Sequence, residues 1–221
     1  LAKKQFAVIG MGRFGSSVAT TLMELGFDVL AIDRSEQIIQ DVSDWATHAV
    51  SADTTDEDTL RSLAISNFDV VVVAIGADIQ ASILTVLILK ELGVKQVIVK
   101  AQNELHGKLL SKIGADKIVF PERDMGMRLA HNLVSPNILE FIELSKDYSI
   151  VELKAPIELV GKTLKQLDIR ANYRCNVLAI KSGEELNIAP FDEDGVEEND
   201  VLVIAGRSKD ISKLELDYAE G

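Results

Sequence analysis

Short uninterrupted apolar runs punctuate the first 120 positions. They are Phe6–Ile9, Val29–Ile32 (ending in Asp33), a weaker His48–Ala52, a strong Asp69–Ile75, then Gln96–Lys100 and Lys117–Phe120. Stretches with helical spacing lie between them, at about 36–45, 56–64, 79–92 and 104–113. An earlier one follows the first run, passes through Leu22 and Leu25 and stops at Gly26. Gly93 and Gly114 stand where helix-terminating glycines are expected. Strands that are apolar throughout, rather than alternating, belong in a parallel sheet covered on both faces. Six such units predict a Rossmann-like, doubly wound α/β domain over residues 3–121.

The pattern changes after Pro121. Residues 122–145 read as a crossover helix-turn-helix linker interrupted at Ser135-Pro136, with Met125, Leu129, Leu133, Ile138, Leu139, Phe141 and Ile142 as apolar positions. Two readings of that apolar content stay open: burial against a second subunit, or a connecting helix packed on its own sheet. From Tyr148 the apolar runs are short (Ile150–Leu153, Val177–Ile180, Val201–Ile204) and separated by acidic turns such as Asp192–Gly195 and Glu197–Asp200. This predicts a small α+β domain over residues 146–221. There is no internal repeat and no low-complexity segment.

Composition narrows the function. The 221 residues carry 23 basic and 35 acidic side chains, a net charge of −12, with 5% aromatics. Neither a phosphate-attracting field nor a base-stacking surface is present, so sequence-unspecific binding of nucleic acid is excluded. A basic membrane-surface helix is also absent. The single cysteine, Cys175, excludes an internal disulfide. His48, His106 and His131 lack zinc-ligand spacing. The most lipid-like run, Ile83–Leu89, falls far short of a membrane span. Lys3-Lys4-Gln5 leads straight into a strand without a signal-peptide pattern, and Leu1-Ala2 reads as an expression scar. The expected location is the cytoplasm.

The sharpest local signal is Gly10-Met11-Gly12-Arg13-Phe14-Gly15, directly between a strand and a helix. Gly10 permits the turn, Gly12 the approach of a pyrophosphate and Gly15 close helix–strand packing, with phosphates on the free N–H groups at the helix start. Asp33, 18 residues beyond Gly15, stands where a carboxylate accepts both ribose hydroxyls. It also disfavours the 2′-phosphate of NADP, despite the adjacent Arg34. Asp53, Thr54, Ala74, Ile75 and Gly76 follow strand ends that rim such a crevice. Arg13 is either a solvated loop arginine or one that reaches an additional phosphate. Lys100 either neutralises phosphate or is an ordinary strand-end lysine. Glu122 either binds a divalent cation with phosphates or favours a helix N-terminus.

Catalytic sets are missing. No tyrosine is followed by lysine at the spacing of a short-chain reductase. His106 and His131 read as exposed helix histidines outside any constellation, Asp56-Glu57-Asp58 as an acidic helix start, and Cys175 as a buried inert thiol. Binding without turnover is expected, so the chain is not read as an enzyme.

These blocks resemble the RCK proteins (regulators of potassium conductance), and among them the cytosolic gating subunits of Ktr-type potassium uptake systems. The resemblance rests on Phe6–Gly15, Val29–Asp33, Ala46–Val50, Val73–Ala77 with Gln80-Ala81-Ser82, Val99–Gln102, Lys112–Asp116, Pro121-Glu122 with Asp124–Gly126, and Tyr148–Glu152. It implies ATP and ADP in the N-terminal crevice and a homo-octameric ring of dimers. That ring would sit peripherally on the cytoplasmic face of the membrane, against a potassium-translocating subunit. It further implies that Arg13 reaches the γ-phosphate in an adjoining subunit, and that Glu122 sits by a cation, magnesium or calcium. The C-terminal domain resembles those that bind cyclic di-AMP, with Ile169, Arg170, Ala171, Asn176 and Pro190 as the matching positions. There Arg170 either meets a phosphate or pairs with a local carboxylate. Two rival readings remain, an NAD(H)-gated regulator of the Trk type and an NAD-dependent oxidoreductase.

Overall fold

The computed structural model describes residues 3–134 and 137–218, the side chains of His131 and Asn132 apart. Leu1-Ala2, the Ser135-Pro136 interruption and the His131 side chain therefore lie outside the described residues. The chain divides into two compact units, Leu1–Glu122 and Arg123–Gly221.

The first unit holds six parallel strands: β1 (Phe6–Ile9), β2 (Val29–Asp33), β3 (His48–Ser51), β4 (Val70–Val73), β5 (Val97–Lys100) and β6 (Lys117–Val119). Their order is β3-β2-β1-β4-β5-β6, the doubly wound arrangement. The helices between them are α1 (Arg13–Glu24), α2 (Glu36–Ser43), α3 (Glu57–Ser62), α4 (Ile79–Glu91) and α5 (Glu104–Lys112). The central strands β1 and β4 are apolar at every position, and β2 up to Asp33, because each face of the sheet has its own core. Ala7, Ile9, Leu30, Ile32, Val71 and Val73 pack with Leu60, Val86, Leu89 and Leu110 on one side. Val8, Val29, Ala31, Val70 and Val72 pack with Ala19, Ile39 and Val42 on the other. Side chains one residue apart point to opposite faces, so one short run feeds two cores. Ser35, Asp56, Asp78 and Asn103 cap α2, α3, α4 and α5 with their side chains. Asp56-Glu57-Asp58 is thus the helix start expected of it.

The second unit begins in α6 (Pro121–Val134), whose Met125, Met127, Leu129, Leu133 and Val134 this chain leaves exposed. It continues into β7 (Ile138–Ser145) and β8 (Tyr148–Lys154). Here the structure corrects the sequence reading: residues 138–145 form an edge strand, not the second half of a helical linker. The spacing of Ile138, Leu139, Phe141 and Ile142 imitates a helix, but the segment pairs antiparallel with β8, closing at Ser145↔Tyr148. Two further short helices, α7 (Leu164–Leu167) and α8 (Ile169–Tyr173), precede β9 (Asn176–Ser182), β10 (Glu185–Ile188), β11 (Val201–Arg207) and α9 (Ser208–Asp217). The sheet order is β10-β9-β11-β8-β7. Its core gathers Val151, Leu153, Leu159, Ile169, Cys175, Leu202, Ile204, Ile211 and Leu214.

Candidate functional site

The glycine turn joins β1 to α1 at the carboxyl end of the parallel sheet. Gly10 has φ +91°, a left-handed conformation open to glycine. A Cβ there would also crowd the Ala74 carbonyl at 3.0–3.1 Å. At Gly15 a Cβ would fall inside the Gly10 carbonyl oxygen, so α1 can approach β1 only with glycine at that position. Gly12 differs from both. Its φ of −72° is open to any residue, and a Cβ would meet nothing within 4 Å. The folded chain itself gives no reason for glycine there.

α1 is also the helix of this sheet that lacks a cap. Gly12 provides no side-chain acceptor and the first turn holds no acid, whereas α2 to α5 are each capped. Its first N–H groups are therefore left without a capping side chain at the positive end of the helix dipole. Met11 contributes backbone alone, because its side chain is buried in the core shared with α1 and α2. The Met11 N–H donates to Asp33 Oδ2 at 2.7 Å, and the Ser35 N–H to Asp33 Oδ1 at 2.9 Å. These bonds aim the carboxylate along the end of β2, and each oxygen keeps a further lone pair for a hydroxyl donor.

Beyond the end of β2, Arg34 lies 3.7 Å from Asp78, the cap of α4. Asp53 accepts from the Thr55 hydroxyl at 2.7 Å and the Thr55 N–H at 2.9 Å. These bonds hold its carboxyl below the usual range. Thr54 turns its hydroxyl inward to Thr85 on α4, 2.9 Å away, so only its backbone is left to meet a ligand. Ala74 is bound to β1 through its N–H and the Ile9 carbonyl (2.7 Å), which brings Ala74-Ile75-Gly76 beside the glycine turn.

At the far end, Lys100 Nζ and Glu122 Oε1 are 2.5 Å apart. The ammonium stands 5.8 Å from the Phe14 ring centre and 3.7 Å from where a Cβ of Gly76 would be. Lys100 holds the Glu122 carboxyl below its ordinary range, and the charge of Arg13 acts in the same direction. The Lys100–Glu122 pairing was not read from the sequence, although Lys100 ends β5 and Glu122 comes shortly after the neighbouring β6 (Lys100↔Val119). Among the described residues, no three His, Cys, Asp or Glu side chains converge on a metal position.

The remaining candidates separate. His106 is buried, not exposed: its Nδ1 accepts the Gln102 N–H at 3.3 Å, its Nε2 has no partner, and burial pushes its pKa down. His48 is exposed on β3. Cys175 is fully buried and its thiol is pushed up to about 11 by that burial, which leaves it unreactive. In the second unit Ile169 is a core residue. Arg170 and Ala171 are exposed on α8, Asn176 is exposed at the start of β9, and Pro190 is half-buried after β10. Arg170 pairs with no carboxylate among the described residues. A cleft of about 500 Å³ lined by Gly161, Lys162, Gln166, Leu167, Asn172 and Tyr218 contains none of these five.

Comparison with known proteins places the chain. Residues 6–121 match the TrkA-N domain and residues 148–216 the TrkA-C domain. The chain is 53% identical to Ktr system potassium uptake protein C of Bacillus subtilis (strain 168), over 96% of each chain. It is 50% identical to Ktr system potassium uptake protein A of the same organism, over 97% of each. Among solved structures, the GsuK channel bound to NAD shares the fold at a TM-score of 0.55 and 23% identity, covering 99% of this chain and 39% of that one. With a doubly wound N-terminal unit, an antiparallel C-terminal unit and relatives matched end to end, the chain belongs to the RCK family as a regulatory subunit of the Ktr potassium uptake type.

Proposed function

We propose that the N-terminal unit senses ATP and ADP, and that the chain passes the difference between them to a membrane subunit that translocates potassium. The observation that carries this reading is the uncapped start of α1 beside Gly12, where open space and free N–H groups coincide. The phosphates would lie along Gly10, Gly12, Gly15 and the N–H groups of Arg13 and Phe14. Asp33 would hold the ribose. Arg34, Asp53, the Thr54 backbone and Ala74-Ile75-Gly76 would border the adenosine. Glu122 supplies the hard oxygen donor that magnesium or calcium takes, with phosphate oxygens completing the shell. Arg13 is the residue for a terminal phosphate bound in an adjoining subunit.

Asp33 and the glycine turn serve the adenosine half of NAD as well as of ATP. The far end supports the ATP reading: Lys100 offers an ammonium to a terminal phosphate, and Glu122 offers a carboxylate to a cation bound with it. The exposed apolar positions of α6 support self-association, in the proposed homo-octameric ring on the cytoplasmic face of the membrane. No described helix is long and apolar enough to cross that membrane. Exposed Arg170, Asn176 and Ala171, with Pro190, remain the proposed contacts for cyclic di-AMP as an inhibitory effector. The buried His106 and the raised thiol of Cys175 support regulation without turnover.

Calorimetric titration of nucleotide-stripped protein with ATP, ADP, NAD and NADH, with and without magnesium or calcium, tests the reading. Preference for ATP and ADP is expected, with a cation-dependent gain for ATP alone; tighter binding of NADH than of ATP refutes it. In Arg13→Ala, ADP affinity should hold while the advantage of ATP shrinks.

A further inference from the structure

The ion pair at the far end of the crevice is lopsided. The Lys100 side chain is 13% exposed, whereas that of Glu122 is 71% exposed. A largely buried ammonium stripped of its partner is costly, because neither water nor another charge replaces the lost interaction. A carboxylate in solvent loses little when it swings away. Lys100 therefore requires an anion beside it at all times, but that anion need not be Glu122. The packing of the lysine beside Phe14 and Gly76 keeps the ammonium at the crevice whichever anion it meets.

The sheet order adds a direction. Asp33 ends β2 and Lys100 ends β5, with β1 and β4 between them. Three inter-strand steps of about 4.8 Å separate them by about 14 Å, and the open start of α1 lies over the middle of that span. A nucleotide whose ribose is held at Asp33 and whose pyrophosphate crosses the helix start thus directs its last phosphate toward Lys100.

We infer that Glu122 is a resident substitute for phosphate on Lys100: the terminal phosphate of the nucleotide displaces it, and the displaced carboxylate becomes available to a divalent cation. The inference rests on the nucleotide reading above and adds the exchange that links the two ligands. In the empty chain Lys100 silences Glu122 as a cation ligand, and Glu122 competes with phosphate for Lys100. Phosphate and cation then each remove the obstacle to the other. Such coupling is reciprocal by thermodynamic necessity.

The test is a double-mutant cycle on the full chain, stripped of nucleotide, with Lys100→Met, Glu122→Gln and the pair together. Methionine keeps the apolar stem against Phe14, and thermal melting of each variant verifies the fold. ATP is titrated calorimetrically in chelator and again with calcium. Without cation, Glu122→Gln should bind ATP several-fold more tightly than wild type, because the competitor is gone. Lys100→Met should bind it at least tenfold more weakly. In the Lys100→Met background the glutamine should bring no gain, and calcium should tighten ATP binding only where Glu122 is present. Weaker cation-free ATP binding in Glu122→Gln, or a gain that persists without Lys100, overturns the exchange. A wild-type chain that binds neither ATP nor ADP overturns the nucleotide reading itself, which is a separate outcome.

Discussion

Gly12 and Gly15 are three residues apart in one turn, and the structure assigns them opposite consequences on substitution. Alanine at Gly15 drives a Cβ into the Gly10 carbonyl oxygen, and Gly10 is itself pinned against Ala74 and Ile75 and bonded to Ile32. Neither side yields cheaply, so Gly15→Ala should cost about 3 kcal/mol or more. In a chain of 221 residues that lowers Tm by roughly 6–12 °C. Alanine at Gly12 meets nothing within 4 Å at a φ it adopts readily. Its smaller unfolded-state entropy and its poorer fit to a helix cap act in opposite directions, leaving stability within about 1 kcal/mol of wild type. The added methyl does, however, stand where phosphate approaches. At ATP one hundred times the wild-type Kd, wild type gains about 2.7 kcal/mol, or roughly 5–11 °C. A hundredfold loss of affinity in Gly12→Ala leaves about 0.4 kcal/mol, or about 1 °C. Scanning calorimetry with and without ATP reads both numbers. A Gly12→Ala chain that keeps the full ATP shift refutes phosphate approach at Gly12. One that melts like Gly15→Ala refutes the open space.

Two further outcomes follow from buried groups. His106 is neutral in the fold with its pKa held below 6.5, so nothing is lost above that value. As pH falls below about 6.5 the unfolded chain takes up a proton that folded His106 refuses, and stability declines by up to about 1.4 kcal/mol per pH unit until the lower folded value is reached. Urea denaturation at pH 7.5 and 5.5 should show a smaller acid loss in His106→Gln than in wild type; equal losses would falsify the assignment. In the second unit, Ile169→Ala should cost about 2–5 kcal/mol because it empties a core position. Arg170→Ala, at an exposed one, should stay within about 0.5 kcal/mol. A cyclic di-AMP titration of Arg170→Ala therefore reports on the ligand without a folding defect, and unchanged affinity there removes Arg170 from that site.

The sequence alone determined the parallel sheet, since only strands covered on both faces read as unbroken apolar runs, and the glycine turn with Asp33, since their chemistry is local to two strand ends. It did not determine β7, where Ile138, Leu139, Phe141 and Ile142 carry a helical spacing that pairing with β8 overrides. Nor could it place His106 inside or turn Thr54 away from the crevice, because both depend on which helix packs against which strand. Ile169 shows the same limit: a motif position beside exposed Arg170 becomes core once α8 docks on its sheet. Lys100 and Glu122 were each legible as strand-end charges, but their pairing belongs to the tertiary structure. Only the parallel alignment of β5 with β6 brings residues 22 positions apart into one ion pair.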